Sequence, residues 1–224
     1  MSQSKARYRY AVDFRIDGDI RFISHNDMMR AFSRACARAG LPVCFTEGFN
    51  PRIRLSLPFP RPIGQCSDVE RLVLDLSERI DEAGLLERLQ SQVPDGIGLR
   101  RAAAIESLKP CQPTWVRYRI GIAPADREAI ASLAEALLSS GPISITRVRH
   151  RDGRSRVVDI RPFIDAIDVT DDAIVVSVFV TSAGSAAPTE VCQALGIKAD
   201  AINHLVRRVE IRWDLNQVDQ PSNP

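Results

Sequence analysis

A chain of 224 residues with 45% hydrophobic content and a formal charge of +2 holds enough apolar material for one large core or two small ones. It contains no apolar run of about 18 residues, and Met1 to Tyr10 is polar and basic where a secretory leader needs an apolar stretch, so a cytoplasmic protein without membrane association is expected. Five widely spaced cysteines, Cys36, Cys44, Cys66, Cys111 and Cys192, form no CxxC or CxxxCxxC cluster, so buried thiols are favoured over a zinc or iron–sulfur site and no cofactor is expected.

The charge is uneven. Met1 to Arg61 carries 11 Lys plus Arg against 5 Asp plus Glu, and the remainder 19 against 23. A local basic excess suits a polyanionic partner, though it also suits a face merely solubilised by arginine.

Tyr8, Tyr10, Val12, Phe14 and Ile16 alternate with polar or small residues, the period of a half-buried strand, and Asp17-Gly18-Asp19 ends it. Ser24 followed three residues later by Asp27 predicts a helix start, with Gly40 and Pro42 marking the stop near Ala39. Met28, Phe32, Ala35 and Cys36 share one face of that helix, and Arg30, Arg34 and Arg38 form a basic ridge on another. Val43 to Thr46 and Ile53 to Leu57 read as two short strands, or one bent strand, around Glu47-Gly48-Phe49-Asn50-Pro51. A strand over Asp68 to Leu76, a helix over Asp81 to Val93 and a strand over Leu99 to Ile105 complete a β-α-β-β-α-β order, the ferredoxin-like unit.

The same grammar returns after a linker at 110–114. Strands are expected at Val116 to Ile122, Ile143 to Arg149, Ser155 to Ile160, Ala173 to Thr181 and Val206 to Leu215, with helices at Pro124 to Leu138 and Pro188 to Leu195. The resulting expectation is an α+β protein of two ferredoxin-like halves with antiparallel sheets, 1–109 and 115–216, followed by a frayed tail at 217–224.

The run Arg21-Phe22-Ile23-Ser24-His25-Asn26-Asp27-Met28-Met29-Arg30, continuing through Arg34-Ala35, Arg38-Ala39-Gly40-Leu41-Pro42 and Glu47-Gly48-Phe49-Asn50-Pro51, resembles the N-terminal signature of the radical-SAM-linked family. Val158-Asp159-Ile160-Arg161-Pro162, Ala187-Pro188-Thr189-Glu190-Val191 and Ala194-Leu195-Gly196 resemble its second signature. The resemblance implies a radical SAM protein as partner, acting in trans because this chain holds no cluster-binding cysteine triad, and it implies no established activity. Asn26, Thr46 and Arg52 depart from the family's usual Leu, Ser and His, and 59–68 is less regular than its short Pro-to-Gly turn.

Ser24, His25 and Asp27 fall in a first helical turn, where free N–H groups attract anions. They read either as an anion site, with His25 available for proton transfer as the candidate catalytic residue, or as a simple cap. Arg30, Arg34, Arg52 and Arg54 could grip phosphates, and Asn50 could add a donor and an acceptor. Phe49 could stack on a base or fill a core, and Asp159 with Arg161 reads as a structural ion pair before a site. These residues favour an accessory module that presents RNA or another phosphate-bearing molecule to the radical SAM enzyme. An RNA-processing enzyme using His25 and a ligand-free structural partner are the alternatives.

Overall fold

The computed structural model describes residues 7–106, 110–148 and 153–214. The described chain forms two compact units: residues up to Pro113 together with Trp213 and Asp214, and Thr114–Arg212. Arg149, Leu215 and the tail at 217–224 lie outside the described residues.

The first unit runs β1 (Tyr8–Ile16), α1 (His25–Arg38), β2 (Leu55–Ser56), β3 (Cys66–Leu76), α2 (Glu82–Gln90), β4 (Ile97–Ile105). Its strands lie in the order β4-β1-β3-β2, every neighbouring pair antiparallel. This is the ferredoxin-like arrangement. The alternation of β1 sends Tyr10, Val12, Phe14 and Ile16 to one face. There they meet Leu72, Leu74 and Leu76 of β3, Phe32, Ala35 and Cys36 of α1, and Leu85 and Leu89 of α2. Both helices therefore cover the same face of the sheet. Phe14 and Phe32 meet edge-on with centroids 4.9 Å apart at the centre of this core; each such ring stabilises the fold by roughly 1.5–3 kcal/mol through burial.

α1 begins as its sequence dictates, with the Ser24 hydroxyl accepting from the Asp27 amide at 3.2 Å. It ends where Gly40 takes a φ of 59°, a conformation that a side chain disfavours. On the opposite sheet face the polar residues pair with one another. Arg9 donates to both oxygens of Asp75 at 2.7 and 3.2 Å, and Arg71 to both oxygens of Asp13 at 2.7 and 3.1 Å. Arg71 also stacks on Trp213 at 4.7 Å.

Within this unit β4 has a strand neighbour on one side only, and α2 serves its outer rim. The Leu99 amide donates to Gln90 Oε1 at 2.7 Å, Gln90 Nε2 donates to the Ile97 carbonyl at 3.3 Å, and the Ala104 amide donates to Glu82 Oε1 at 2.9 Å.

The second unit runs β5 (Pro113–Gly121), α3 (Arg127–Ser139), β6 (Ser144–Val148), β7 (Ser155–Asp159), β8 (Ile164–Val169), β9 (Ala173–Phe179), α4 (Pro188–Ala194), α5 (Ala199–Ile202), β10 (Val206–Trp213). Its sheet order is β10-β5-β9-β8, the same topology with β8 as the second strand. β5 starts inside the stretch read as a linker. The strands expected at 143–149 and 155–160 do form, but they pair with each other as a separate hairpin inserted between α3 and β8. The sheet strand is β8, to which the sequence reading assigned nothing. Pro162 signals a strand end just before it, and Asp165 and Asp168 are residues that strands disfavour. Asp165 is placed there to accept from the Trp115 indole at 2.8 Å.

The inserted hairpin is tied to the unit by Arg147. Its guanidinium meets both oxygens of Glu190 at 2.7 and 2.8 Å and the Ser185 carbonyl at 2.6 Å, while Glu190 also accepts from the Ala187 amide at 2.9 Å at the start of α4.

Candidate functional site

Two places in the first unit gather the residues singled out by sequence. One is a pocket under the N-terminus of α1. Ser24, His25 and Met28 form one side, Phe14 and Ile16 of β1 the floor, and Leu57, Phe59 and Arg61 of the segment after β2 the other side. Glu70 of β3 completes the lining, and the empty volume, open to solvent, is about 290 Å³. Arg61 holds this segment in place by donating one terminal nitrogen to the Arg21, Pro62 and Gln65 carbonyls at 2.9, 2.8 and 2.6 Å.

Glu70 and Arg61 were not identified from sequence. Glu70 had a readable signal, because it shares the core-facing alternation of β3 with Leu72, Leu74 and Leu76 and is only 5% exposed. A carboxylate on an otherwise apolar face is costly to bury unless it is partnered, and such groups cluster at functional sites. Arg61 had none, since its carbonyl partner at Arg21 lies 40 residues away in sequence.

The anion-attracting groups of α1 are largely engaged with each other. Ser24 donates to Asp27 Oδ2 at 2.7 Å, and Arg30 donates to Asp27 Oδ1 at 2.9 Å. The Ser24 hydrogen bond first, and then the Arg30 one, hold the Asp27 carboxyl below its ordinary value, with Arg34 adding a weaker field. Arg38 donates to the Gln92 side chain at 3.2 Å and to its carbonyl at 2.5 Å. Of the ridge, Arg34 is left facing solvent.

The second place is the arm between α1 and β2. Its legs are pinned: Val43 bridges to Leu76 and Phe45 to Ile53, Cys44 donates to the Asp75 carbonyl at 2.8 Å, and Arg54 donates through its amide to Cys44 at 2.8 Å. Arg54 Nε is used on the Phe45 carbonyl at 2.9 Å. The tip, Glu47-Gly48-Phe49-Asn50-Pro51, and Arg52 are exposed. Phe49 is 106% exposed, so its ring fills no core, and Phe45 is 54% exposed.

The arm does not meet the pocket. It joins β3 at Asp75 and Leu76, whereas the pocket is at Glu70, a separation of roughly 16 Å along the strand at 3.3 Å per residue. Ser24 and His25 thus sit together at one end of the unit, and Asn50, Arg52, Arg54 and Phe49 together at the other.

Asp159 and Arg161 both serve the backbone of the turn after β7. Asp159 accepts from the Ile143 and Arg161 amides at 2.9 and 3.0 Å, and the Arg161 guanidinium donates to the Ile164 and Leu138 carbonyls at 3.2 and 3.4 Å. The expected side-chain ion pair is replaced by these backbone bonds. Among the described residues no group of three or more His, Cys, Asp or Glu is placed to hold a metal ion, and no helix is long and apolar enough to cross a membrane.

Fold and candidate sites together define an α+β protein of two ferredoxin-like units whose basic N-terminal residues divide between a pocket and an exposed arm. The chain belongs to a family described as an uncharacterized protein conserved in bacteria (DUF2344), whose model matches residues 9–189. No curated protein matches it. Among solved structures it is similar to the acetolactate synthase small subunit from Thermotoga maritima at 12% identity, covering 96% of this chain and 99% of that one with a TM-score of 0.24. A likeness that slight carries no argument about function.

Proposed function

We propose that this protein is an accessory binding module that presents a phosphate-bearing substrate, RNA foremost, to a radical SAM enzyme supplied as a separate chain. The observation that carries this reading is Phe49, a ring wholly in solvent at the tip of a pinned arm, beside Asn50 and Arg52. Folding gains nothing from exposing a phenyl ring there. An aromatic face next to a guanidinium is what sequence-tolerant single-stranded nucleic acid binding uses. The basic excess of the first 61 residues supplies the matching long-range field. The partner half of the proposal rests on the two signature runs, and a purified radical SAM protein from the same genome that fails to co-elute with this chain removes it.

A second reading is favoured by His25 lining the same pocket as Glu70 and Arg61, which suits an RNA-processing enzyme with His25 as acid or base. One experiment addresses both. Fluorescein-labelled single-stranded RNA is titrated by anisotropy across a salt series, and the recovered RNA is run on a denaturing gel. The module reading expects binding that weakens with salt, affinity about tenfold lower in Phe49→Ala from the lost stacking, and intact RNA. Salt-independent or absent binding, or a Phe49→Ala affinity equal to wild type, overturns it. RNA cleaved by the wild type and spared by His25→Ala transfers the proposal to the enzyme.

A further inference from the structure

A second cleft of the first unit, which shares no lining residue with the pocket described above, opens where β4 begins beside the end of β1. Arg15, Asp17, Gln90, Gly98 and Arg100 surround a cleft of about 670 Å³ of empty space, open to solvent. Three features of the chain put two guanidiniums there together.

The first is Gly98, which is paired with Arg15 across the β1–β4 ladder. A Cβ at Gly98 would stand 2.7 Å from Arg15 Nε, so the missing side chain is what lets Arg15 lie across β4 toward the sheet edge. The second is a bulge. The register passes from Asp13 opposite Arg101 to Phe14 opposite Leu99, which leaves Arg100, a lining residue of the cleft, with no residue of β1 opposite it. The third is Gly96, with a φ of 86°, where a Cβ would run into the Asp17 carbonyl, so the turn that opens the cleft requires glycine.

The two arginines are held loosely. Arg15 reaches Asp17 at 3.8 Å and Arg100 reaches Asp68 at 3.8 Å, with side-chain exposures of 55% and 50%. The same sheet face shows what a committed pair looks like in this protein, with Arg9–Asp75 and Arg71–Asp13 both at 2.7 Å. A charge-assisted N–H···O bond spans about 2.7–2.9 Å, so at 3.8 Å the acidic neighbours supply field without occupying the forked donors. Neither arginine is needed by the core, and both line one cleft that also contains Gly96 of the turn and Gly98 of β4.

We infer that this cleft is an oxyanion site that binds a phosphate group through Arg15 and Arg100. The inference does not rest on the RNA reading of the arm. A phosphate could arrive on a small phosphorylated ligand or on an RNA backbone, and the chemistry of recognition is the same in both.

The test is a titration of ¹⁵N-labelled full-length protein with inorganic pyrophosphate at low salt, followed through the amides of Gly96, Gly98 and Arg100. Saturable shifts at these amides are expected, with apparent affinity lowered about tenfold in Arg15→Ala and likewise in Arg100→Ala, each of which removes charge-assisted bonds to the anion. Arg127→Ala, at the start of α3 in the second unit, is the control and leaves the titration unchanged. Both cleft variants alter exposed side chains, and an otherwise unchanged amide spectrum verifies their folds. A parallel titration with single-stranded RNA separates the sources. Shifts at 96–100 that pyrophosphate reverses identify a backbone phosphate, and RNA shifts confined to 47–54 identify a separate small ligand. No saturable pyrophosphate shift at Gly96, Gly98 and Arg100, or the same affinity in the variants as in wild type, overturns the inference.

Discussion

Glu190 lies in the first turn of α4, and the structure gives it two tasks that a single substitution would separate from packing. Its carboxylate takes both arms of Arg147 at 2.7 and 2.8 Å and the Ala187 amide at 2.9 Å. The side chains of Arg147 and Glu190 are 26% and 17% exposed, so solvent screens the pair only in part. The same carboxylate holds the Arg147 pKa above its ordinary value, against the opposing effect of burial. A bidentate pair in this setting is expected to contribute a coupling of about 2 kcal/mol, and loss of the cap on Ala187 about 1 kcal/mol more. Glu190→Ala is therefore expected to destabilise by about 3 kcal/mol and Arg147→Ala by about 2 kcal/mol, with the double variant close to Glu190→Ala alone.

The assay is urea unfolding followed by tryptophan fluorescence in a Trp213→Phe background, which leaves Trp115 to report the second unit. At a slope of about 2 kcal/mol per molar, Glu190→Ala lowers the midpoint by about 1.5 M. A coupling energy under about 0.5 kcal/mol from the full cycle refutes the reasoning, because two residues acting through one bond cannot be additive.

Two further outcomes follow from the first unit's core and from the thiols. The Tyr10 hydroxyl, on a residue only 1% exposed, donates to the Ile80 carbonyl at 2.6 Å and accepts from its amide at 3.0 Å; Tyr10→Phe is expected to cost about 2–3 kcal/mol, and chemical denaturation that shows under 0.5 kcal/mol, roughly the level of a surface change, contradicts that role. Burial pushes the Cys36 thiol up to about 11 and the Cys192 thiol up to about 12, so a thiol reagent at pH 8 should label half-buried Cys44 well before either. Because the folded values are raised, their contribution to stability is whole below the ordinary thiol value of 9.0 and is lost as pH climbs toward 11 and 12. Fast native labelling of Cys36 or Cys192, located by mass spectrometry, would contradict this.

Periodicity and capping made most of the fold legible. The Tyr8 to Ile16 alternation, Ser24 as a cap and Gly40 as a stop are local signals, and each appears in the structure where the sequence puts it. β8 was illegible because its residues answer to distant partners: Asp165 is there for Trp115, and Ile164 and Ala166 flank an irregularity in the pairing with β9. The hairpin of β6 and β7 carried good strand chemistry, and nothing in a strand's own residues says which sheet it will join. For the sites, sequence could mark His25 and Phe49 as unusual but had no means of placing them at opposite ends of β3. Nor could it see that Arg100 leaves the ladder, since a bulge is a property of two strands compared and is invisible in either alone.

The bonds from Gln90 and Glu82 to the rim of β4 bear on how this molecule meets its neighbours. An incoming extended peptide would have to evict two side chains of α2 before it found the Leu99 or Ala104 amide. Strand-by-strand growth from that side is thereby opposed at both amides, while the cleft beside Gln90 leaves the same rim open to a small ligand.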